Sequence, residues 1–499
     1  MTLPSRPRQQ PSRRKIEYVP LAREVESHGG RDLKLLDHEL RSFTRRRPIR
    51  DVNDWGAIEI EALILSLRSR LSLELSYALT TFTLLSTMGF PIVQSPDLFD
   101  EMLDLLEDSA FGHTEEITEI DPPVVISHIP TNRALLHVVS ESQSLPFSVL
   151  QPSQGLKDPE FGPRQRPGNI ILAIMNIIRN LSTVPDNLDF ISRHTKLVDM
   201  VLRICSMTED SCGALSPASQ ALSLGDLIAI RRDTLYLLTN IAGNVHLFTP
   251  TPTVTLRMAR RVFQLLSSYL IDPAEAVSPL ACVHFVGIAP NANVKPPLLA
   301  DVALEVFGRL SQNDANRRIL AESIPPESLL RLFEALVHRL PVVDADFQLM
   351  TRDIWLSYLE KIIMAIYSLA FLSPPAVKAR VKADRVLGFK SVMFRLIQKF
   401  LMTPSADGRN WFIVCTRRAI EAMKVLDDGE DSFDTPKSTG PAMSFGMGFG
   451  EVGDKETETG AGLLGGHRDI AWDMLMLREV YGDEVMFAEL ESLARVNVE

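Results

Sequence analysis

The sequence predicts an all-α fold of stacked helical repeats, an α-solenoid. Three observations predict it. Apolar residues recur every three to four positions through most of the chain, aromatic residues make up only 7%, and one helix-plus-turn motif appears four times. At 499 residues the chain exceeds the roughly 250 to 300 at which a single core stops growing, so several domains or an elongated array are expected. With 45% hydrophobic and 23% charged residues, most of it must fold.

Residues 1–50 read as a basic, largely disordered arm with 13 Lys+Arg against 6 Asp+Glu, whereas residues 51–499 hold 39 against 57. This asymmetry argues against a nucleic-acid groove in the body and allows one in the arm. The clusters Arg13, Arg14, Lys15 and Arg45, Arg46, Arg47 are candidates for a nuclear-import signal or a phosphate contact. Clustered cations suit either an acidic receptor or a polyanion.

The helical-repeat domain is expected over 51–426. Residues 54–85 form a hairpin, with Ile60, Leu63, Ile64 and Leu67 on one helix and Leu75, Leu79, Phe82 and Leu85 on the next. Asp54 is the expected N-cap, and Gly89-Phe90-Pro91 the stop. From Asp97 to Asp121 there are ten acidic residues and no Lys or Arg. Such a run reads as a solvated face or loop, with a dock for a basic tail as the competing reading. A long exposed loop is expected near 142–168, where Pro, Gly and Ser accumulate.

From residue 169 the motif repeats as "NIILAIMNIIRNLSTVPDNLDFI", "RRDTLYLLTNIAGNVHLF", "ADVALEVFGRLSQNDANRRIL" and "LEKIIMAIYSLAFLSPPAVKARV". Alignment puts Asn180, Asn240, Arg309 and Ser368 in one column, spaced 60, 69 and 59 residues apart, enough for three or four helices per unit. One unit cannot bury its apolar face alone, and stacking neighbours buries it. Asn180 and Asn240, with Asn244 in the turn beyond, are candidate partner-binding residues, because a ladder of amides can hydrogen-bond an extended backbone. The competing reading is that Asn180 and Asn240 cap or bridge neighbouring turns. A flexible insert over 427–466 and C-terminal capping helices over 467–499, with Phe487, Leu490 and Leu493 covering the last repeat, complete the chain.

Chemistry is sparse. The glycines of "FGMGFGEVG" lack the strand before and the Lys-Ser/Thr after that a phosphate loop needs. His246 and His284 lie near helix ends without metal-ligand spacing, and no GxSxG elbow occurs. Cys205, Cys212, Cys282 and Cys415 form no CxxC pair and are too scattered for a disulfide framework. No run approaches the roughly 18 uninterrupted apolar residues of a membrane span. No catalytic residue, cofactor or metal is expected, and no membrane partner.

"IIRNLSTVPDN" resembles the third helix of catenin-type armadillo repeats. Two blocks together, "IEALILSLRSRLSLELSYALTTFTLL" (60–85) and "IMNIIRNLSTVPDNLDFISRHTKLVDMVLRI" (174–204), resemble the C-terminal armadillo-like region of the large ARID-bearing subunit of SWI/SNF chromatin-remodelling complexes. Their order and separation agree with that family over roughly 50–400, and "KIEYVPLAREVESHGGRDL" (15–33) is similar to the lead-in of its fungal members. The resemblance implies a nuclear, non-catalytic scaffold that contacts the remodeller's core subunits and its ATPase and contributes to transcription regulation. It implies DNA or nucleosome contact that is indirect or made through the basic arm. Members carry an ARID domain upstream, and the 50 residues before the first helix cannot hold its roughly 100. A C-terminal piece of a longer product, or a short form, is expected. The alternative reading is an armadillo-like adaptor that binds an extended peptide of another partner.

Overall fold

The fold is that of a computed structural model, which describes residues 58–112, 129–144, 167–209, 215–285, 294–433, 462–464 and 468–495. The chain divides into two units, Met1–Glu59 and Ile60–Glu499, and the architecture below is that of the second. It is almost entirely helical. Among the described residues, β structure is confined to one antiparallel hairpin, β1 (Met207–Glu209) on β2 (Leu215–Pro217), with Thr208 opposite Ser216.

The first hairpin comprises α1 (Ile60–Ser69) and α2 (Ser72–Thr87). Leu63, Leu67, Leu75, Leu79 and Phe82 are buried as the periodicity requires, while Ile60, Ile64 and Leu85 are only partly covered. Gly89 follows at φ 81°, a left-handed turn that stops α2 before Pro91. The expected cap Asp54 lies outside the described residues. The acidic run becomes α3 (Pro96–Phe111), whose carboxylates face cations from elsewhere: Arg70 to Asp108 at 2.7 Å, and Lys196 to Asp104 at 2.7 Å and Glu107 at 3.1 Å. Its first half is thus an ion-paired helix face, and residues 113–121 fall outside the described set.

Beyond it come α4 (Asn132–Ser144), α5 (Pro167–Leu181), α6 (Pro185–Arg193), α7 (Thr195–Ile204), α8 (Leu224–Ile241) and α9 (Pro252–Ser267). Next are α10 (Pro279–Phe285), α11 (Leu298–Leu310), α12 (Asp314–Ser323), α13 (Pro326–His338), α14 (Asp344–Leu349) and α15 (Asp353–Leu372). The chain closes with α16 (Pro375–Ala383), α17 (Phe389–Leu401), α18 (Ala406–Asp428), α19 (Arg468–Leu475), α20 (Arg478–Tyr481) and α21 (Glu484–Ala494). Of the loop expected near 142–168, residues 142–144 belong to α4 and 167–168 to α5, and the rest lies outside the described residues. Among the described residues, the expected C-terminal helices are three. Leu490 and Leu493 are buried there together with Met486, and Phe487 is half-covered.

Local chemistry sets these helix starts. Proline opens α3, α6, α9, α13 and α16 in the first turn, where its missing N–H leaves no bond unmade. Ser223 and Asp226 form a reciprocal capping box on α8, Asn313 caps α12 and Asp483 caps α21.

One row of helices organises the unit: α2, α5, α8, α11, α15, α18 and α21 each pack on the next. A repeated non-local packing of this kind makes the unit a helical-repeat, solenoid-like fold. The row is the core. α15 alone buries Trp355, Leu359, Ile362, Ile363, Ile366 and Leu369, each worth about 1.5–3 kcal/mol of transfer free energy. By length and composition this helix would also pass as a membrane span. Its apolar sides instead face α11 and α18, and Glu360 and Lys361 interrupt its middle.

Candidate functional site

The aligned column lies at the C-terminal ends of the row helices, where it joins each repeat to the one before. Asn180 on α5 donates from Nδ2 to Ser86 Oγ on α2 at 3.2 Å, and Asn240 on α8 donates to Ser182 Oγ just past α5 at 2.9 Å. Each serine hydroxyl in turn donates to a carbonyl of its own helix, Ser86 to Thr83 and Ser182 to Arg179. Arg309 continues the column by donating to the Thr239 carbonyl at 2.6 Å, and Ser368 accepts from Ser311 Oγ at 2.9 Å. The four positions therefore form a ladder of inter-repeat bonds. The bridging role open in the sequence is the one these two amide N–H groups perform, and both asparagines remain half-exposed. Asn244 sits exposed in the turn after α8, with its backbone N–H on the Ile241 carbonyl at 2.9 Å. Arg13, Arg14, Lys15, Arg45, Arg46 and Arg47 lie outside the described residues.

A second column escaped sequence reasoning. Asn187, in the first turn of α6, is completely buried; its Nδ2 donates to Phe90 O at 2.9 Å and Leu181 O at 3.1 Å, and its Oδ1 accepts from Ile92 N at 2.9 Å. Asn316, in the first turn of α12, does the same to Val245 O (2.9 Å), Leu310 O (3.2 Å) and Leu247 N (3.0 Å). Each clamp holds the segment that leaves the preceding row helix, and satisfies backbone groups no helix can reach. The signal was present as a spacing: Leu181-Ser182 and Leu310-Ser311 are each followed by an Asn five residues after the Ser. Leu372-Ser373 is followed in the same register by Lys378.

Lys378 is buried and donates from Nζ to Glu430 O at 2.6 Å and Ser432 Oγ at 3.1 Å. It reaches the segment after α18, the following repeat rather than the preceding one. Burial pushes its ammonium below the ordinary lysine value, against the pull of Asp431, Asp428 and Glu430.

His194 joins α3 to this region. Its Nδ1 accepts from Leu197 N at 3.3 Å, capping α7, while Nε2 meets Asp100 Oδ1 at 3.1 Å and the ring packs edge-on against Phe99 and Phe190. Of the two histidines singled out in the sequence, His246 contacts Asn313 at 3.1 Å and His284 is exposed on α10. Among the described residues no group of three or more His, Cys, Asp or Glu is placed to hold a metal ion.

A groove of about 490 Å³ lies over α11, α15 and α18. Met364 and Val414 supply apolar floor, and Glu305, Arg309, Glu360, Lys361 and Arg418 surround them. Most of that charge is internally paired: Lys361 Nζ lies 2.9 Å from both Asp301 oxygens and 3.2 Å from Glu305, Arg309 pairs with Glu305, and Arg418 pairs with Glu421. Burial pulls the Lys361 ammonium down, but the hydrogen bonds it donates to Asp301 and Glu305 outweigh that and hold the group above the ordinary lysine value. Glu360 has no hydrogen-bond or ion-pair partner among the described residues, and burial raises its carboxyl above the ordinary range. Trp411, half-exposed one helical turn before Val414, extends the apolar strip along α18. Such a strip with one unpaired carboxylate suits an extended chain carrying apolar and basic side chains. No protein-family model matches the chain, and no curated protein matches it.

Proposed function

We propose that this protein is a non-catalytic scaffold subunit of a nuclear SWI/SNF-type chromatin-remodelling assembly, and that its repeats are of the armadillo-like kind. One observation carries the reading. The two blocks that resemble the ARID-bearing remodeller subunit, 60–85 and 174–204, are far apart in sequence yet form one packed joint, in which α2 packs on α5, Asn180 meets Ser86 and Asn187 clamps Phe90 and Ile92. In this role the row of helices is a rigid rail that holds core subunits and the ATPase, while the basic arm supplies whatever nucleic-acid contact there is. The test is affinity purification of the tagged chain from nuclear extract, with co-purifying proteins identified by mass spectrometry. Recovery of a remodelling ATPase with its core subunits is expected; its absence from the eluate refutes the assignment.

A second reading, an armadillo-like adaptor for an extended peptide, is favoured by the groove over α11, α15 and α18. Its mark would be a single partner whose binding weakens about tenfold on Trp411→Ala, the common size of a loss from one partly buried aromatic contact.

A further inference from the structure

After the row helices α5, α11 and α15 the chain makes the same two-helix turn, α6–α7, α12–α13 and α16–α17. In each, the second residue of the second helix is charged: Lys196, Glu327 and Lys390. Two of the three are covered. Lys196 Nζ lies 2.7 Å from Asp104 and 3.1 Å from Glu107 of α3, and Glu327 accepts from Arg380 Nη1 of α16 at 2.8 Å. α3 meets Lys196 as an acidic amphipathic helix. Its Asp100, Asp104 and Glu107 recur at i, i+4 and i+7, Asp100 pairs with His194, and Phe99 packs edge-on against Phe190. Lys390 has no such cover. Among the described residues, neither its ammonium nor the Arg385 guanidinium has a hydrogen-bond or ion-pair partner.

The turn that carries these two cations is fixed. Asp384 Oδ1 accepts from Val386 N at 2.8 Å and from Leu387 N at 3.0 Å, and Gly388 stands at φ 60°. Leu387 and Phe389 are buried, the Phe389 ring against Phe333, while Val386 before them is 97% exposed. The surroundings are basic: residues 375–401 hold seven Lys or Arg and one carboxylate, Asp384, in a chain of net charge -11. The other exposed cations there are occupied, Arg380 by Glu327, Lys382 by Asp427, and Arg395 and Lys399 by Asp344. The geometry points to the α16–α17 turn as a docking site for an acidic amphipathic helix of a partner protein. Lys390 and Arg385 take its carboxylates and Val386 an apolar side chain beside them, as the α6–α7 turn takes α3. Charge sets the sign of the partner. The valine sets its class, since a phosphate backbone would leave that side chain in water, whereas an amphipathic helix covers it. The site shares no residue with the groove over α11, α15 and α18.

The probe is an end-blocked, fluorescently labelled peptide of the α3 sequence, Pro96–Phe111, titrated into the full chain and followed by anisotropy. Saturable binding is expected, weakened about tenfold in the double variant Arg385→Glu/Lys390→Glu and about fivefold in Val386→Ser. Both variants change side chains at the surface, so their melting temperatures should match that of the unaltered chain. A peptide with Asp100, Asp104 and Glu107 replaced by Asn should lose its affinity for the unaltered chain to a similar degree. No saturation by about 1 mM peptide overturns the proposal. Affinity that the double variant keeps means that the peptide exchanges with the resident α3 at Lys196, and overturns it as well. So does affinity that Val386→Ser keeps, which reduces the turn to bare cations. A DNA duplex of about 20 base pairs that binds more tightly than the peptide, and is lost in the same double variant, makes the turn a nucleic-acid contact and overturns it too.

Discussion

The joints built by Asn187 and Asn316 and the joint built by Lys378 occupy the same register after a row helix, yet they solve the same problem in opposite ways. The asparagines bring one acceptor and two donors, match three backbone groups apiece, and hold the preceding repeat. The lysine brings only donors and a charge, so it cannot satisfy an N–H, and it turns to a carbonyl and a hydroxyl of the following repeat. The difference teaches that a neutral amide makes a joint indifferent to pH, while a buried ammonium makes one that depends on it.

The comparison can be broken most severely at the helix end that the first clamp serves. Leu181 is fully buried between the Asn180 bridge and the Asn187 clamp. Leu181→Asp places an unpaired carboxylate there and should cost at least about 4 kcal/mol, enough to disrupt the stacked neighbours. Unchanged circular dichroism and melting temperature would count against the repeat assignment. Next comes the clamp itself: Asn187→Ala, or Asn316→Ala, leaves two carbonyls and one N–H unpaired in the interior and should cost about 3 kcal/mol, read as a lower denaturation midpoint with unchanged slope.

Lys378 sharpens the contrast through pH. Its folded-state pKa is depressed below the unfolded value, so below the folded pKa both states are protonated and the full cost of the buried charge is present. As pH rises from there towards about 10.4, the unfolded chain binds more protons than the folded one, and stability increases until the cost is gone. Lys378→Met should flatten this alkaline rise, whereas Asn316→Ala should lower stability by the same amount across it. Parallel profiles for Lys378→Met and the unaltered chain would remove the distinction between the two kinds of joint. The smallest effect belongs to the half-exposed ladder: Asn240→Ala should cost about 1 kcal/mol with the fold intact, and a loss several times larger would mean that Asn240 does more than bridge to Ser182.

Much of the architecture was legible because helices announce themselves locally. The apolar period located the row helices α2, α5, α8, α11 and α15, and the repeating turn aligned Asn180 with Asn240, Arg309 and Ser368. The asparagine clamps were not read, although Leu-Ser followed five residues after the Ser by Asn occurs twice, because a buried amide in a first turn looks in sequence like any cap. The ion-paired face of α3 was legible as a charge run but not as a partner of Arg70, His194 and Lys196, which come from other segments of the chain. The groove over α11, α15 and α18 left no sequence trace, since it is not a property of one segment.

The sequence by itself determined where helices start and stop, which faces are apolar, and that a unit recurs, because periodicity, prolines in first turns and capping side chains act within a few residues. Only the tertiary structure decided what each column touches. Asn180 meets Ser86 from 94 residues away and Asn187 meets Ile92 from 95, and at such separations the register is set by how whole helices stack, not by any preference of the residues between.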